Sequence, residues 1–222
     1  MAEVEKTWTP QEIAAQLRKP EGDGGLLVAE NMQLANVSLY NVILTQMGDL
    51  KAPNLLEIGF GNGAHFQRYY GAFPSANITG VDFSQTMCDA AAELNPTAIS
   101  NGSLTLHCGD ALHINAAINT FDIAVAVNTL YFWQPLLDYL KEIHRVLKPG
   151  GQLMLGYRPK ETMDKLPFTE FGFQKYEPAE IENLLLQAGF ASVHQTSNTF
   201  MRIPVLGEDI ENTDIVAVAL RG

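Results

Sequence analysis

Two hydrophobic rhythms run along the chain. Between Pro53 and Tyr157, short apolar runs alternate with longer segments whose apolar residues return every third or fourth position, the marks of strand and helix in turn. The runs predict strands at Asn54 to Ile58, Ile78 to Asp82, Leu104 to His107, Phe121 to Val127 and Gln152 to Tyr157. The fourth is apolar throughout after Asp122, as suits a central parallel strand covered on both faces. Between them, Phe66, Tyr69 or Tyr70 and Phe73 mark one helix. Ser84 caps a second, carrying Met87, Ala91 and Leu94, and Leu136, Leu140, Ile143 and Leu147 mark a third, opening at Pro135. The turn Lys148-Pro149-Gly150-Gly151 leads into the fifth strand.

Upstream, Thr9-Pro10-Gln11-Glu12 reads as a capping box with proline at the first helical position, and this helix ends before Pro20. Glu21 to Gly25 reads as a flexible turn, and a single longer helix follows from Leu27 to Met47, with Val28, Met32, Ala35, Leu39 and Ile43 as its stripe. Downstream, residues 158–176 are irregular and aromatic. A helix from Pro178 to Gly189 and strands at Ala191 to Thr196 and Asp214 to Leu220 complete the chain. No helix fits between those two strands, so they are expected to be antiparallel neighbours joined by a polar, proline-containing connection. The alternation defines an α/β fold. Residues 1–50 precede the sheet as an N-terminal helical cap or lid, or as plain packing on the sheet edge, and residues 51–222 are the sheet domain.

Composition narrows the options. The 222 residues suit one α/β domain, and 46% hydrophobic with 18% charged content is ordinary for a globular protein. No run of about eighteen apolar residues is present, so no membrane span is expected. MAEVEKTWTP has no apolar core of a secretory signal, and Cys88 and Cys108 lack metal-like spacing. Both read as reduced core residues, and the expected location is cytoplasmic. Fourteen basic against twenty-five acidic residues give a net charge of −11, which argues against a nucleic-acid partner.

The chemistry gathers at Leu55 to Ala64, LLEIGFGNGA. An apolar strand runs into Gly59, Phe60, Gly61, Asn62 and Gly63, and a helix follows. Glycine permits positive φ in such a turn and lets a ligand lie against bare backbone, while the helix start contributes partial positive charge. Gly59, Gly61 and Ala64 also satisfy a dinucleotide fingerprint, with Asp82 placed 23 residues after Gly59. An NAD-dependent dehydrogenase would use the same turn, so the turn alone leaves the ligand open.

LLEIGFGNG, VDFS, the GDA of Gly109 to Ala111, FDIAVAVNTLYFW and VLKPGGQLML together, in order and spacing, resemble class I S-adenosylmethionine-dependent methyltransferases, closest to the bacterial small-molecule branch with its quinone-biosynthesis enzymes. The resemblance covers roughly residues 50 to 195. It implies a Rossmann-like seven-stranded sheet of order 3-2-1-4-5-7-6 with strand 7 antiparallel and helices on both faces. It further implies S-adenosyl-L-methionine as methyl donor, with S-adenosyl-L-homocysteine as product and a small-molecule acceptor. Glu57 would read the methionine end, where Gly59, Phe60, Gly61, Asn62 and Gly63 admit the ligand. Asp82 would hold the ribose, Phe83 and Met87 flank the adenine, Asp110 and Ala111 meet its edge, and Asn128 lie beside the methionine moiety.

Tyr131-Phe132-Trp133 would stand near the transferring methyl, where aromatic faces can hold a cation for about 0.5–2 kcal/mol. Asn128-Thr129-Leu130-Tyr131 shares its ends with the N-P-P-Y motif of planar-nitrogen methylation but lacks both prolines. No catalytic residue is fixed by the sequence; His65 is the candidate for a base, and Tyr131 is a second catalytic candidate. Tyr157, Phe171 and Tyr176 are candidates for the substrate wall, residues 158–176 being the substrate-side insertion. No metal is expected, and the chain is expected to act as a monomer or homodimer. A catalytically silent S-adenosylmethionine-binding subunit stands beside the enzyme as an alternative.

Overall fold

The computed structural model describes residues 8–202 and 210–222. The extreme N-terminus and the proline-containing connection at 203–209 lie outside the described residues.

Strands β1 (Asn54–Ile58), β2 (Asn77–Asp82), β3 (Leu104–Cys108), β4 (Phe121–Val127), β5 (Leu147–Tyr157), β6 (Phe190–Arg202) and β7 (Ile210–Arg221) form one sheet of order β3-β2-β1-β4-β5-β7-β6. The first five are parallel, and β7 runs antiparallel to both β5 and β6. This is the order the resemblance implies. Successive strand residues feed opposite cores. Leu56, Ala124 and Leu153 face one side, and Leu55, Ile123 and Met154 the other. Helices cover both faces, which is why the central strands read as unbroken apolar runs.

The helices are α1 (Pro10–Arg18), α2 (Gly22–Ala35), α3 (Val37–Gln46), α4 (Phe66–Ala72), α5 (Gln85–Leu94), α6 (Pro96–Ser100), α7 (Leu136–Val146), α8 (Lys160–Met163) and α9 (Pro178–Gln187). The Thr9/Glu12 capping box opens α1, and Ser84 caps α5 by accepting the Met87 N–H. Leu136, Leu140 and Ile143 of α7 and Ile181 and Leu185 of α9 join the first core, while Leu39 and Ile43 of α3 join the second.

The structure departs from the sequence reading in four places. Glu21 to Gly25 is helical from Gly22 onward. A Cβ at Gly24 would stand 2.4 Å from the Trp8 ring, and one at Gly25 would stand 2.7 Å from the Pro20 backbone, so these glycines serve close packing. The long helix divides at Asn36, whose side chain accepts from Asn128 across the fold at 2.9 Å. Lys148 to Gly151 lies within β5, where the pairing register to β4 shifts. Cys88 is buried, but Cys108 is exposed at the end of the edge strand β3.

One ion pair closes the far side of the sheet. Arg158, just after β5, donates Nε to Asp214 Oδ1 of β7 at 3.2 Å, and both side chains are buried. Ser38 of α3 donates to Asp214 Oδ2 at 2.7 Å, fastening the N-terminal helices to the same carboxylate. Asp214→Ala is expected to lower unfolding free energy by about 3–5 kcal/mol, because it leaves a buried guanidinium uncompensated. Denaturant unfolding checks this, and a loss under about 1 kcal/mol would mean that water relieves the charge.

Candidate functional site

The carboxyl ends of β1, β2 and β4 open into a cavity of about 290 Å³. Its floor includes Gly59, Phe60, Gly61 and Asn62 from the turn after β1, with Asp82 at the end of β2 and Phe83 and Met87 beyond it. Gly109, Asp110 and Ala111 extend the floor beyond β3, and Asn128 and Thr129 beyond β4. The opposite wall comes from the N-terminal helices, through Arg18, Met32, Gln33, Asn36 and Tyr40 among others.

Gly59 has φ +72° and accommodates the crossing of two loops, since a Cβ there would lie 2.1 Å from Thr129 Cγ2. Its N–H donates to the Val81 carbonyl at 2.8 Å. Two residues on, the Gly61 N–H donates to Asp82 Oδ2 at 2.9 Å, while Oδ1 accepts the Ser84 N–H at 2.9 Å. Asp82 is buried, and desolvation raises its pKa to about 6 against the lowering effect of these backbone bonds. The Ser84 hydroxyl donates to the Pro20 carbonyl, which ties the α1–α2 connection to the start of α5.

At the β3 side, Asp110 Oδ1 accepts the Leu112 N–H at 3.0 Å and Oδ2 accepts the Tyr139 hydroxyl at 3.2 Å. Tyr139 lies parallel to Trp133, with ring centroids 5.3 Å apart, so the Trp133 wall and the Asp110 carboxyl are braced together. Met87 is fully buried beneath the cavity, whereas the Phe83 ring is partly exposed at its edge.

The β1 side is organised differently. Glu57 is buried and accepts the hydroxyl of Tyr40, from α3. Burial raises the Glu57 pKa to about 8, with the Tyr40 and Tyr69 hydroxyls lowering it and Asp82 raising it further. Tyr69 faces the carboxyl, but neither Glu57 Oε2 nor the Tyr69 hydroxyl reaches hydrogen-bonding geometry. Glu57 and Gly63 do not line the cavity, while Tyr40 does. His65, at the start of α4, stacks on Tyr40 at 3.7 Å, and both of its ring nitrogens are buried without a partner. Burial, then the Arg68 charge, lowers its pKa to about 4, which makes it a neutral and weakly basic imidazole.

Asn128 has φ +55°, a conformation asparagine tolerates better than most residues, and its side chain bridges two elements. It donates to Asn36 Oδ1 and accepts the Tyr131 hydroxyl, each at 2.9 Å.

Phe132 and Trp133 line the cavity as the sequence suggests. The other acceptor-side candidates stand elsewhere. Tyr131 sits behind Asn128, accepting the Arg158 N–H at 2.6 Å, and burial raises its phenol pKa rather than priming it as a base. Tyr157 is fully buried and donates to Gln195 Oε1 at 2.6 Å, because strand alternation turns it inward. Phe171 is exposed on the insertion, and Tyr176 borders a separate shallow groove with Gln174 and Leu184. The sequence reading missed Tyr40, Asn36, Gln33, Thr129 and Tyr139. Asparagine and tyrosine interrupting the apolar stripe of 27–47 were the available signal.

The donor set suits an adenosyl ligand with a zwitterionic tail: an acid at the end of β2, exposed glycine backbone, and orphaned polar atoms on His65 and Thr129. Among the described residues no cluster of His, Cys, Asp and Glu could hold a metal ion, and no helix is long and apolar enough to cross a membrane.

Residues 56–155 match the family described as a methyltransferase domain. The chain is 26% identical over 138 residues to the uncharacterized methyltransferase YdaC of Bacillus subtilis, covering 62% of this chain and 71% of that protein. It is 33% identical over 113 residues to the demethylmenaquinone methyltransferase of Lactococcus lactis, covering 50% and 44%. Apart from the Bacillus protein, the chain spans about a third to a half of the length of the curated relatives it matches. A chain of the complex containing the Haloferax volcanii Trm112 methyltransferase activator superposes with a TM-score of 0.76 at 18% identity, over 95% of this chain and 97% of that one, a likeness of fold.

The Glu57 pKa carries a stability consequence. A carboxyl raised from 4.5 to about 8 by folding contributes stability that is fully present below the lower value and lost as pH rises through the higher. The stability of wild type relative to Glu57→Gln is therefore expected to fall between about pH 5 and pH 8. Urea unfolding at several pH values reads the difference, and parallel curves would contradict it.

Proposed function

We propose that this chain, a class I S-adenosylmethionine-dependent methyltransferase by its matched domain and its fold, methylates a small molecule admitted to the cavity between the sheet and the N-terminal helices. The observation that carries the reading is the buried Asp82 carboxyl at the cavity wall, whose oxygens accept the Gly61 and Ser84 N–H groups. A carboxylate so placed has lone pairs left for the paired hydroxyls of a ribose, and bonds to an ionised acceptor stabilise by roughly 1.5–3 kcal/mol each. S-Adenosylmethionine, when bound, supplies an electrophilic methyl group on a sulfonium.

The chain's own residues bind, orient and exclude water. The backbone of Gly59 to Gly63 accommodates the ligand tail, Phe83 and Met87 flank the adenine, and Asp110 with Ala111 meets its edge. Asn128 is held from both sides for the methionine end. Alignment of this kind can supply roughly 7–11 kcal/mol of a displacement barrier. Burial and the Arg68 charge hold the His65 imidazole neutral and lower its pKa to about 4, which makes it a poor general base. Phe132 and Trp133 offer the acceptor an apolar wall.

A small acceptor suits a cavity walled by α1 to α3, and these helices act as the cap. The acidic balance of −11 disfavours a polynucleotide, whose phosphates need basic partners. The Lactococcus relative, whose name gives it a menaquinone precursor as substrate, supports a small-molecule acceptor.

Asp82→Ala is expected to weaken S-adenosylhomocysteine binding about ten- to a hundredfold by calorimetry, with the fold intact. Unchanged affinity removes Asp82 from the site. Transfer of a labelled methyl group to a component of a metabolite extract separates an enzyme from a silent binder.

A further inference from the structure

Four polar side chains crowd the β1 end of the cavity, and only two of them reach its wall. Glu57 and Tyr69 lie behind, while Tyr40 and His65 belong to the cavity lining, with their rings stacked at 3.7 Å. We propose that Tyr40 and His65 together receive the amino-acid end of the ligand, and that Glu57 holds Tyr40 in place instead of touching the ligand itself. The inference rests on the cofactor reading above and adds the residues that read one end of it.

Hydrogen-bond valence supports the assignment. A tyrosine hydroxyl has one proton and two lone pairs. Tyr40 spends its proton on Glu57, so its hydroxyl keeps only acceptor capacity, which suits an ammonium group. His65 is neutral, and its two nitrogens are one donor and one acceptor, both buried and without a partner. The donor suits a carboxylate. Orphaned polar atoms of this kind are rare in folded proteins, and here they border a cavity.

The neighbouring groups fit the same arrangement. Glu57 and Asp82 lie near Tyr40 on the acidic side, and Arg68 is the cation near both rings. Arg68 is directed away, donating to Asn41 Oδ1 at 3.1 Å, so it does not take the carboxylate's place at His65. Tyr40 belongs to α3, outside the matched residues 56–155, so this part of the site comes from the N-terminal helices and not from the matched domain.

Two nucleosides test the idea. S-Adenosylhomocysteine carries the amino-acid end, and 5′-methylthioadenosine lacks it. Tyr40→Phe and His65→Phe keep a stacked ring at each position and remove the polar atoms. In calorimetric titrations, each variant is expected to bind S-adenosylhomocysteine at least about tenfold more weakly and 5′-methylthioadenosine within about threefold of wild type. The second ligand certifies a folded pocket. An unchanged S-adenosylhomocysteine affinity in either variant, or equal loss of both ligands, overturns the inference while leaving the cofactor reading in place. Wild-type protein that binds neither nucleoside removes both.

Discussion

Two carboxyls are buried where parallel strands end, and much of the molecule is arranged to tolerate them. Moving a carboxylate out of water is costly unless hydrogen bonds or protonation compensate. Asp82 is compensated by backbone, through the N–H groups of Gly61 and Ser84, and it keeps a pKa near 6. Glu57 lies deeper and depends on Tyr40 from a helix outside the sheet domain, with a pKa near 8. The first carboxyl titrates below neutrality and faces the cavity, while the second is largely protonated at neutral pH and supports a neighbour. Similar positions on adjacent strands thus receive different tasks from their surroundings.

That dependence explains why the N-terminal helices are fastened so firmly. Asn36, Ser38 and Tyr40 occupy one short stretch around the break between α2 and α3, and each reaches a different part of the sheet or its loops. Asn36 meets Asn128 after β4, Ser38 meets Asp214 on β7, and Tyr40 meets Glu57 on β1. The Ser84 hydroxyl adds a fourth tie through Pro20. Polar ties of this sort fix orientation as well as adding stability, since each buried group is satisfied in only one arrangement. The cavity wall contributed by α1 to α3 therefore has a defined register over the sheet.

The fold was largely legible because its determinants are local and repetitive. Unbroken apolar runs such as Phe121 to Val127 identify central strands, and Ser84 or Thr9 identifies helix starts, without knowledge of distant contacts. Misreadings arose where distant contacts decide. Gly24 and Gly25 look like flexibility until Trp8 and Pro20 are seen against them, and Asn36 looks like a helix-surface residue until Asn128 is found opposite. In the site, the floor was readable because glycines and acids follow strand ends at recognisable spacing. The wall was not. Tyr40 sits beside Leu39 of the apolar stripe, in a helix that reads equally well as packing, and Tyr157, Phe171 and Tyr176 were nominated by type and neighbourhood, while the structure places them away from the cavity lining.

Crystals soaked with S-adenosylhomocysteine examine the central claim most directly. The account predicts nucleoside density in the cavity, with the ribose against Asp82 and the amino-acid end against Tyr40 and His65. A cavity without density, or one that takes a nicotinamide dinucleotide in preference when both are offered, would contradict it.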